Sequence, residues 1–248
     1  MKLGLIGLGK QGQRYLMEKN GGRHIVRSGS REIDYEGLDG VIIATHPAGH
    51  KKLALECIER GLPVLVEKPL ALTLADCDEI LDAALQKEVP LEVAHTHLWS
   101  RYWCPSRGDD AFCMIEHASH ERDYSAYVDW APHGLALLAD ALPHASRQRL
   151  SASVAVHPGT GVGVCVYGNG WSYLNPVQHV PPMFLMVRDF IIKNLEHAHY
   201  TNPGYWFKRN EFNRRVYHAL YPEQHDSEQV PDGKLLAHLS KRIHGQGK

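Results

Sequence analysis

The sequence contains no apolar run of the ~18–20 residues that a membrane-spanning helix needs. It has no charge surplus either. Its 27 Lys and Arg against 28 Asp and Glu leave a formal net charge of −1, which argues against nucleic-acid or membrane partners held by bulk electrostatics. Cysteine is scarce and odd in number (Cys57, Cys77, Cys104, Cys113, Cys165), with no CxxC, so reduced buried thiols are expected rather than a disulfide framework or zinc knuckle. There is no internal repeat and no low-complexity linker. The apolar start Met1 to Ile6 breaks at once into Gly9-Lys10-Gln11-Gly12 without a small-residue cleavage pattern. It reads as a strand, and a cytoplasmic protein is expected. What the chain has in quantity is histidine: 17 residues whose charge changes just below neutral pH.

With 248 residues, one large or two small domains are expected. Residues 2–7 form an apolar run bounded by glycine, as in a buried parallel strand. A short helix from Gln13 to Asn20 follows, then strands His24–Ser28 and Gly40–Thr45. A helix from Gly49 to Arg60 is stopped by Gly61 and Pro63. Pro63–Glu67 is the next strand. Thr73-Leu74-Ala75-Asp76 opens another helix with Leu74, Cys77, Ile80, Leu81 and Ala84 on its inner face. Leu91–His95 is a strand again. This alternation predicts a Rossmann-type, doubly wound parallel sheet over residues 1–98. Residues 99–248 read as a second, α+β domain with a largely antiparallel sheet. Its strands are expected at Ala111–Ile115, Ser151–His157, Gly161–Tyr167 and Trp171–Leu174, and its helices at Ala131–Leu142, Met183–Glu196 and Glu211–Leu220.

Gly7-Leu8-Gly9-Lys10-Gln11-Gly12 fits G-x-G-x-x-G between a strand and a helix, the context a dinucleotide turn requires. Gly7 permits the turn, Gly9 admits a pyrophosphate, Gly12 lets helix and strand pack closely, and the helix start offers N–H groups to phosphate. The ribose-reading position falls in Arg27-Ser28-Gly29-Ser30-Arg31, where no carboxylate ends the strand. Arg27, Ser28, Ser30 and Arg31 lean toward a 2′-phosphate, hence NADP over NAD, while a solvated basic loop stays open as the alternative. Thr45-His46-Pro47-Ala48-Gly49-His50 and Glu67-Lys68-Pro69 sit at the carboxyl ends of consecutive strands, where open α/β sheets bind ligands. Hydride transfer at a carbonyl carbon needs a proton donor and a positive group for the developing alkoxide; His133 and Lys68 suit these roles. Asp129, one turn before His133, is placed to orient its imidazole.

These segments (GLGKQG, ATHPAGH, VLVEKPLALTLADCDEIL and DWAPH) resemble the Gfo/Idh/MocA oxidoreductases in order and spacing, over about residues 2–145. The resemblance implies a nicotinamide cofactor and Lys68, Asp129 and His133 in the catalytic cleft. It also implies a sugar, nucleotide-sugar or polyol substrate and a homo-oligomer, dimer or tetramer. A catalytically silent NADP(H) sensor or complex subunit, and a reductase of an imine or conjugated substrate, remain as alternatives. The sequence departs from the family in three places. Few residues separate Asn20 from Gly40, so the adenosine side is abbreviated. Ala131 replaces the glycine of D-x-G-x-H, and the chain is short for the family.

His95 and His97 end a strand at the same carboxyl edge and are expected to line the cleft as substrate contacts. Tyr124, in the charged loop before Asp129, is a further candidate. With His117 and His120 the histidines suggest zinc only weakly, because no spacing is a metal signature, and no metal is expected. The aromatic and basic residues around Tyr205–Arg215 are read as a helix packing inward rather than a nucleic-acid surface.

Overall fold

The computed structural model describes residues 1–99, 113–117, 126–141, 151–157, 161–167, 182–193 and 203–221. The expected strand at 171–174 and the candidate Tyr124 lie outside them. Fourteen principal elements run through the described residues. They are β1 (Leu3–Ile6), α1 (Lys10–Leu16), β2 (Ile25–Gly29), β3 (Gly40–Ile43), α2 (His50–Glu59), β4 (Val64–Val66), α3 (Leu74–Gln86) and β5 (Leu91–Val93), then β6 (Cys113–His117), α4 (Ala126–Ala141), β7 (Ser151–His157), β8 (Gly161–Tyr167), α5 (Pro182–Ile191) and α6 (Pro203–Leu220).

The first five strands form one parallel sheet in the order β2-β1-β3-β4-β5. β1, β3, β4 and β5 are buried throughout; the first three therefore read as apolar runs rather than alternating ones, while β5 carries the buried Glu92. Successive side chains face opposite sides of the sheet. Ile6, Val41, Ile43, Val64 and Val66 face a core closed by α2, α3, α4 and α6. Leu3, Leu5, Ile42 and Leu65 face a smaller core closed by Tyr15 of α1 and by Met183, Met186, Val187 and Phe190 of α5. The C-terminal helices therefore complete the layers over the N-terminal sheet.

The abbreviated adenosine side is visible as a missing crossover helix. Residues 30–39 carry no helix or strand between β2 and β3. Ile33, Tyr35 and Leu38 pack against the larger core in its place. Gly4 makes the crossing possible: a Cβ there would lie 2.3 Å from Ile33 Cδ1 and 2.7 Å from Leu38 Cδ1. Arg27 donates to the carbonyls of Asp34 and Glu36, tying the loop to β2.

β6, β8 and β7 form an antiparallel sheet, in that order. Three helix boundaries differ from the sequence reading. α1 starts at Lys10 and stops at Leu16, followed by 3-10 turns at Glu18–Asn20 and Gly22–His24. α4 starts at Ala126 rather than Ala131, with Asp129 in its first turn and His133 one turn further on. α6 starts at Pro203, a turn-breaking residue elsewhere but preorganised for a first helical turn.

Candidate active site

The order β2-β1-β3 reverses direction between β1 and β3, and open α/β sheets bind ligands at that switch point, beyond the strands' carboxyl ends. A cleft of about 1240 Å³ opens there. Gly7, Gly9, Lys10 and Gln11 line one side, Thr45, His46, Pro47, Ala48 and Gly49 another, and Glu67, Lys68, His97, Trp130 and His133 the inner end.

The glycine turn is fixed by close approach. Gly7 has φ +105°, and a Cβ on it would lie 2.4 Å from the Ala44 carbonyl carbon. A Cβ on Gly12 would lie 1.8 Å from the Gly7 oxygen. A Cβ on Gly9 would meet nothing within 4 Å, so space for a pyrophosphate against the backbone exists where the motif predicts it. The residues present fit a dinucleotide.

At the inner end the Lys68–Pro69 peptide is cis. Lys68 Nζ donates to Asp129 Oδ1 at 2.5 Å and to the Asp129 carbonyl at 2.7 Å. The same ammonium sits 5.1 Å from the Trp130 ring centroid. Asp129 is 2% exposed, so this ion pair is shielded from solvent screening. One turn along α4, the His133 ring meets the His97 ring edge-on at 4.5 Å between centroids, and Trp130 lies 6.3 Å from it. Burial, then the Lys68 charge, pushes His97 below the ordinary histidine value, which leaves it neutral. Glu67 accepts from Tyr15 Oη at 2.6 Å and Gln11 Nε2 at 2.8 Å, linking the glycine turn to the Lys68 loop. Burial raises its carboxyl against the pull of those bonds.

Several candidates fall elsewhere. His50 was expected as a cofactor contact; it is 0% exposed, its Nδ1 lying 2.8 Å from the Pro69 carbonyl and its Nε2 3.0 Å from the Thr45 carbonyl. It is a strut between the two ligand-facing loops. Pro69 itself is buried behind the cleft wall. His95 was expected to line the cleft, but β5 ends at Val93 and the chain turns into a 3-10 helix at Thr96. His95 is buried against Phe212 and Tyr217 instead, and only His97 and Thr96 reach the cleft. Arg27 is spent on the 30–39 loop, and neither it nor Ser28 lines the cleft, whereas Ser30 and Arg31 do. Asp129, one turn before His133, bonds Lys68 through Oδ1. Arg14, Asn20, Lys52 and Met183 also line the cleft. Lys52 was findable as the exposed position of α2's first turn; Met183 was not, since it arrives from a distant helix.

A parallel sheet with a tight glycine turn at its switch point is the architecture of a Rossmann-type domain. Residues 26–95 match the sequence model of the family described as Gfo/Idh/MocA, an oxidoreductase family with an NAD-binding Rossmann fold. Over these residues the chain is similar to that family. It is 51% identical over 45 residues to inositol 2-dehydrogenase 1 of Saccharopolyspora erythraea, a match covering 18% of this chain and 13% of that protein. The match thus spans about an eighth of the curated relative. Solved structures agree in fold. A Gfo/Idh/MocA family oxidoreductase from Vibrio cholerae superposes with a TM-score of 0.61 at 15% identity, covering 97% of this chain and 100% of the other. The UDP-N-acetylglucosamine 3-dehydrogenase GnnA from Acidithiobacillus ferrooxidans gives 0.63 at 15%, covering 89% and 95%.

Proposed function

We propose that this chain is an NAD(P)-dependent dehydrogenase. Its reaction moves a hydride between the nicotinamide and a hydroxyl or carbonyl carbon of a sugar, nucleotide-sugar or polyol. The observation that carries this reading is the meeting of Lys68 and His133 on the cleft that begins at the glycine turn, with Asp129 buried behind them and bonded to Lys68. The nicotinamide, when bound, supplies the hydride acceptor or donor. Gly7, Gly9, Lys10 and Gln11 would hold its pyrophosphate. Thr45, His46 and Pro47 would flank the adenosine side, and Glu67 and Lys68 the ring end.

The chain's own groups handle the proton and the charge. His133 takes the hydroxyl proton as the carbonyl forms and returns it in the reverse direction. Lys68, held by Asp129, places positive charge beside the oxygen whose charge develops. Trp130, with the neutral imidazole of His97, offers an apolar face and a hydrogen-bonding edge to a hydroxylated substrate. Ser30 and Arg31 at the cleft favour the 2′-phosphate of NADP; Arg27 no longer supports that choice.

The test is titration with NADPH and with NADH, followed by nicotinamide fluorescence. Saturable enhancement is expected, tighter with NADPH. Lys68→Ala should lose at least about a hundredfold in turnover on a polyol and sugar panel while its melting curve stays normal. Turnover equal to wild type would overturn the assignment. The missing crossover helix favours one competing reading, a silent cofactor-binding subunit, and absence of any turnover in a dinucleotide-binding protein would select it.

A further inference from the structure

Glu67 opens the loop that carries Lys68, lines the cleft, and is only 7% exposed. Both of its bonds fall on one oxygen: Oε1 accepts from Tyr15 and from Gln11. Both donors are neutral. The carboxyl also feels the backbone N–H and the ammonium of the adjacent Lys68, and its side chain faces the ligand space. The nearest cation in sequence is already matched, because Lys68 Nζ lies 2.5 Å from Asp129 Oδ1. Of the other groups acting on this cluster, Arg14 of α1 bonds Gln11 Oε1 at an exposed position, Tyr217 of α6 is a neutral phenol, and His97 is kept neutral by burial. The inner end of the cleft thus holds a carboxylate whose neighbouring cation, Lys68, is bonded to Asp129 instead.

We propose that Glu67 makes this end of the cleft selective for the oxidised, positively charged nicotinamide over the neutral reduced ring. The inference rests on the reading that the cleft takes a nicotinamide dinucleotide. The two redox forms share the adenosine, the pyrophosphate and both riboses, so contacts there bind them alike. Only the ring differs in charge, and a ligand pair is discriminated only by what differs between them. In a site shielded from water, one negative group acts on a ring cation far more strongly than it would in bulk solvent. Burial also raises the Glu67 carboxyl, so a cationic ring beside it favours release of its proton.

Dissociation constants for NADP+ and NADPH, and for NAD+ and NADH, measured by calorimetry in two buffers of different ionisation heat, test this. Glu67→Gln keeps an oxygen for Tyr15 and Gln11 and removes only the charge. It should weaken the oxidised forms by about tenfold, leave the reduced forms within about threefold, and abolish the proton release. Equal weakening of both forms, which a merely structural role gives, would overturn the proposal. Lys68→Gln provides an independent arm, since it removes the local cation. It should shift the oxidised-to-reduced preference several-fold further toward the oxidised form, and an unchanged preference there also counts against the idea. A wild-type protein that binds neither form overturns the dinucleotide reading itself. Binding of both with a charge-insensitive ratio overturns only the role of Glu67.

Discussion

Individual residues in this fold are constrained by approach distances of a fraction of an ångström. Gly12 shows it most sharply, since any Cβ would overlap the Gly7 carbonyl oxygen. Relief requires α1 to slide away from β1, which would also displace Gln11 and Tyr15 from Glu67. Gly12→Ala should therefore lower stability by about 1–3 kcal/mol and weaken dinucleotide binding together, as read by melting temperature and fluorescence titration. Gly9→Ala makes a useful contrast, because its Cβ meets open space. It should leave the melting temperature near wild type and impair only the cofactor's approach. Equal melting losses in both variants would contradict this account. Gly7, Gly9 and Gly12 were legible in the sequence because each does a different backbone task at a fixed spacing. His50 and His95 were not, because alternation along a strand says which side a residue faces but not where the strand ends.

Among elements, α6 shows how much of the N-terminal domain's closure comes from the far end of the chain. Arg209 donates to Glu92 on β5, the sheet's last strand, and its guanidinium lies between the Trp99 and Phe212 rings at 5.4 and 4.6 Å. Both side chains are nearly buried, at 14% and 5% exposed. Removing one partner strands the other, so Arg209→Met should cost about 3–5 kcal/mol. Arg209→Met combined with Glu92→Leu should be less damaging than Arg209→Met alone; a double variant that is worse in urea unfolding would show the pair to be stabilising in its own right. Arg214 adds bonds to Asp78 and Asp82 of α3, and Asn210 donates to the Leu81 carbonyl. None of these pairings is readable from sequence, since they join residues more than a hundred positions apart. The parallel sheet was readable because β1, β3 and β4 are buried on both faces and carry apolar residues and glycine without interruption. The length of α4 was misjudged at Ala126–Trp130 because Pro132 looks like a start signal; it cannot bond the carbonyl four residues back, yet the helix continues through it.

For the whole molecule, the abundance of histidine becomes a pH liability. His50, His95 and His97 are all shifted below the ordinary histidine value of 6.5, in each case chiefly by burial. A base whose folded pKa is depressed contributes stability above its unfolded pKa and loses it as pH falls toward the folded one. Three such groups make the unfolded chain the stronger proton binder below about pH 6.5, with a slope of up to about 4 kcal/mol per pH unit. Glu67 runs the opposite way: its raised carboxyl stabilises most at acid pH and least once pH passes its folded value. It offsets at most one of the three. The melting temperature should fall steeply between pH 7 and 5, and a flat profile over that range would mean the imidazoles are not buried as described. One last consequence concerns the short crossing from β2 to β3. Among the described residues β2 is a terminal strand of the sheet, with Val26 53% exposed on it. Such a margin invites self-association by strand addition. The charged Arg27 in its middle, fastened to the carbonyls of the passing loop, is the feature that discourages a second chain from docking there, so this side chain guards solubility rather than chemistry.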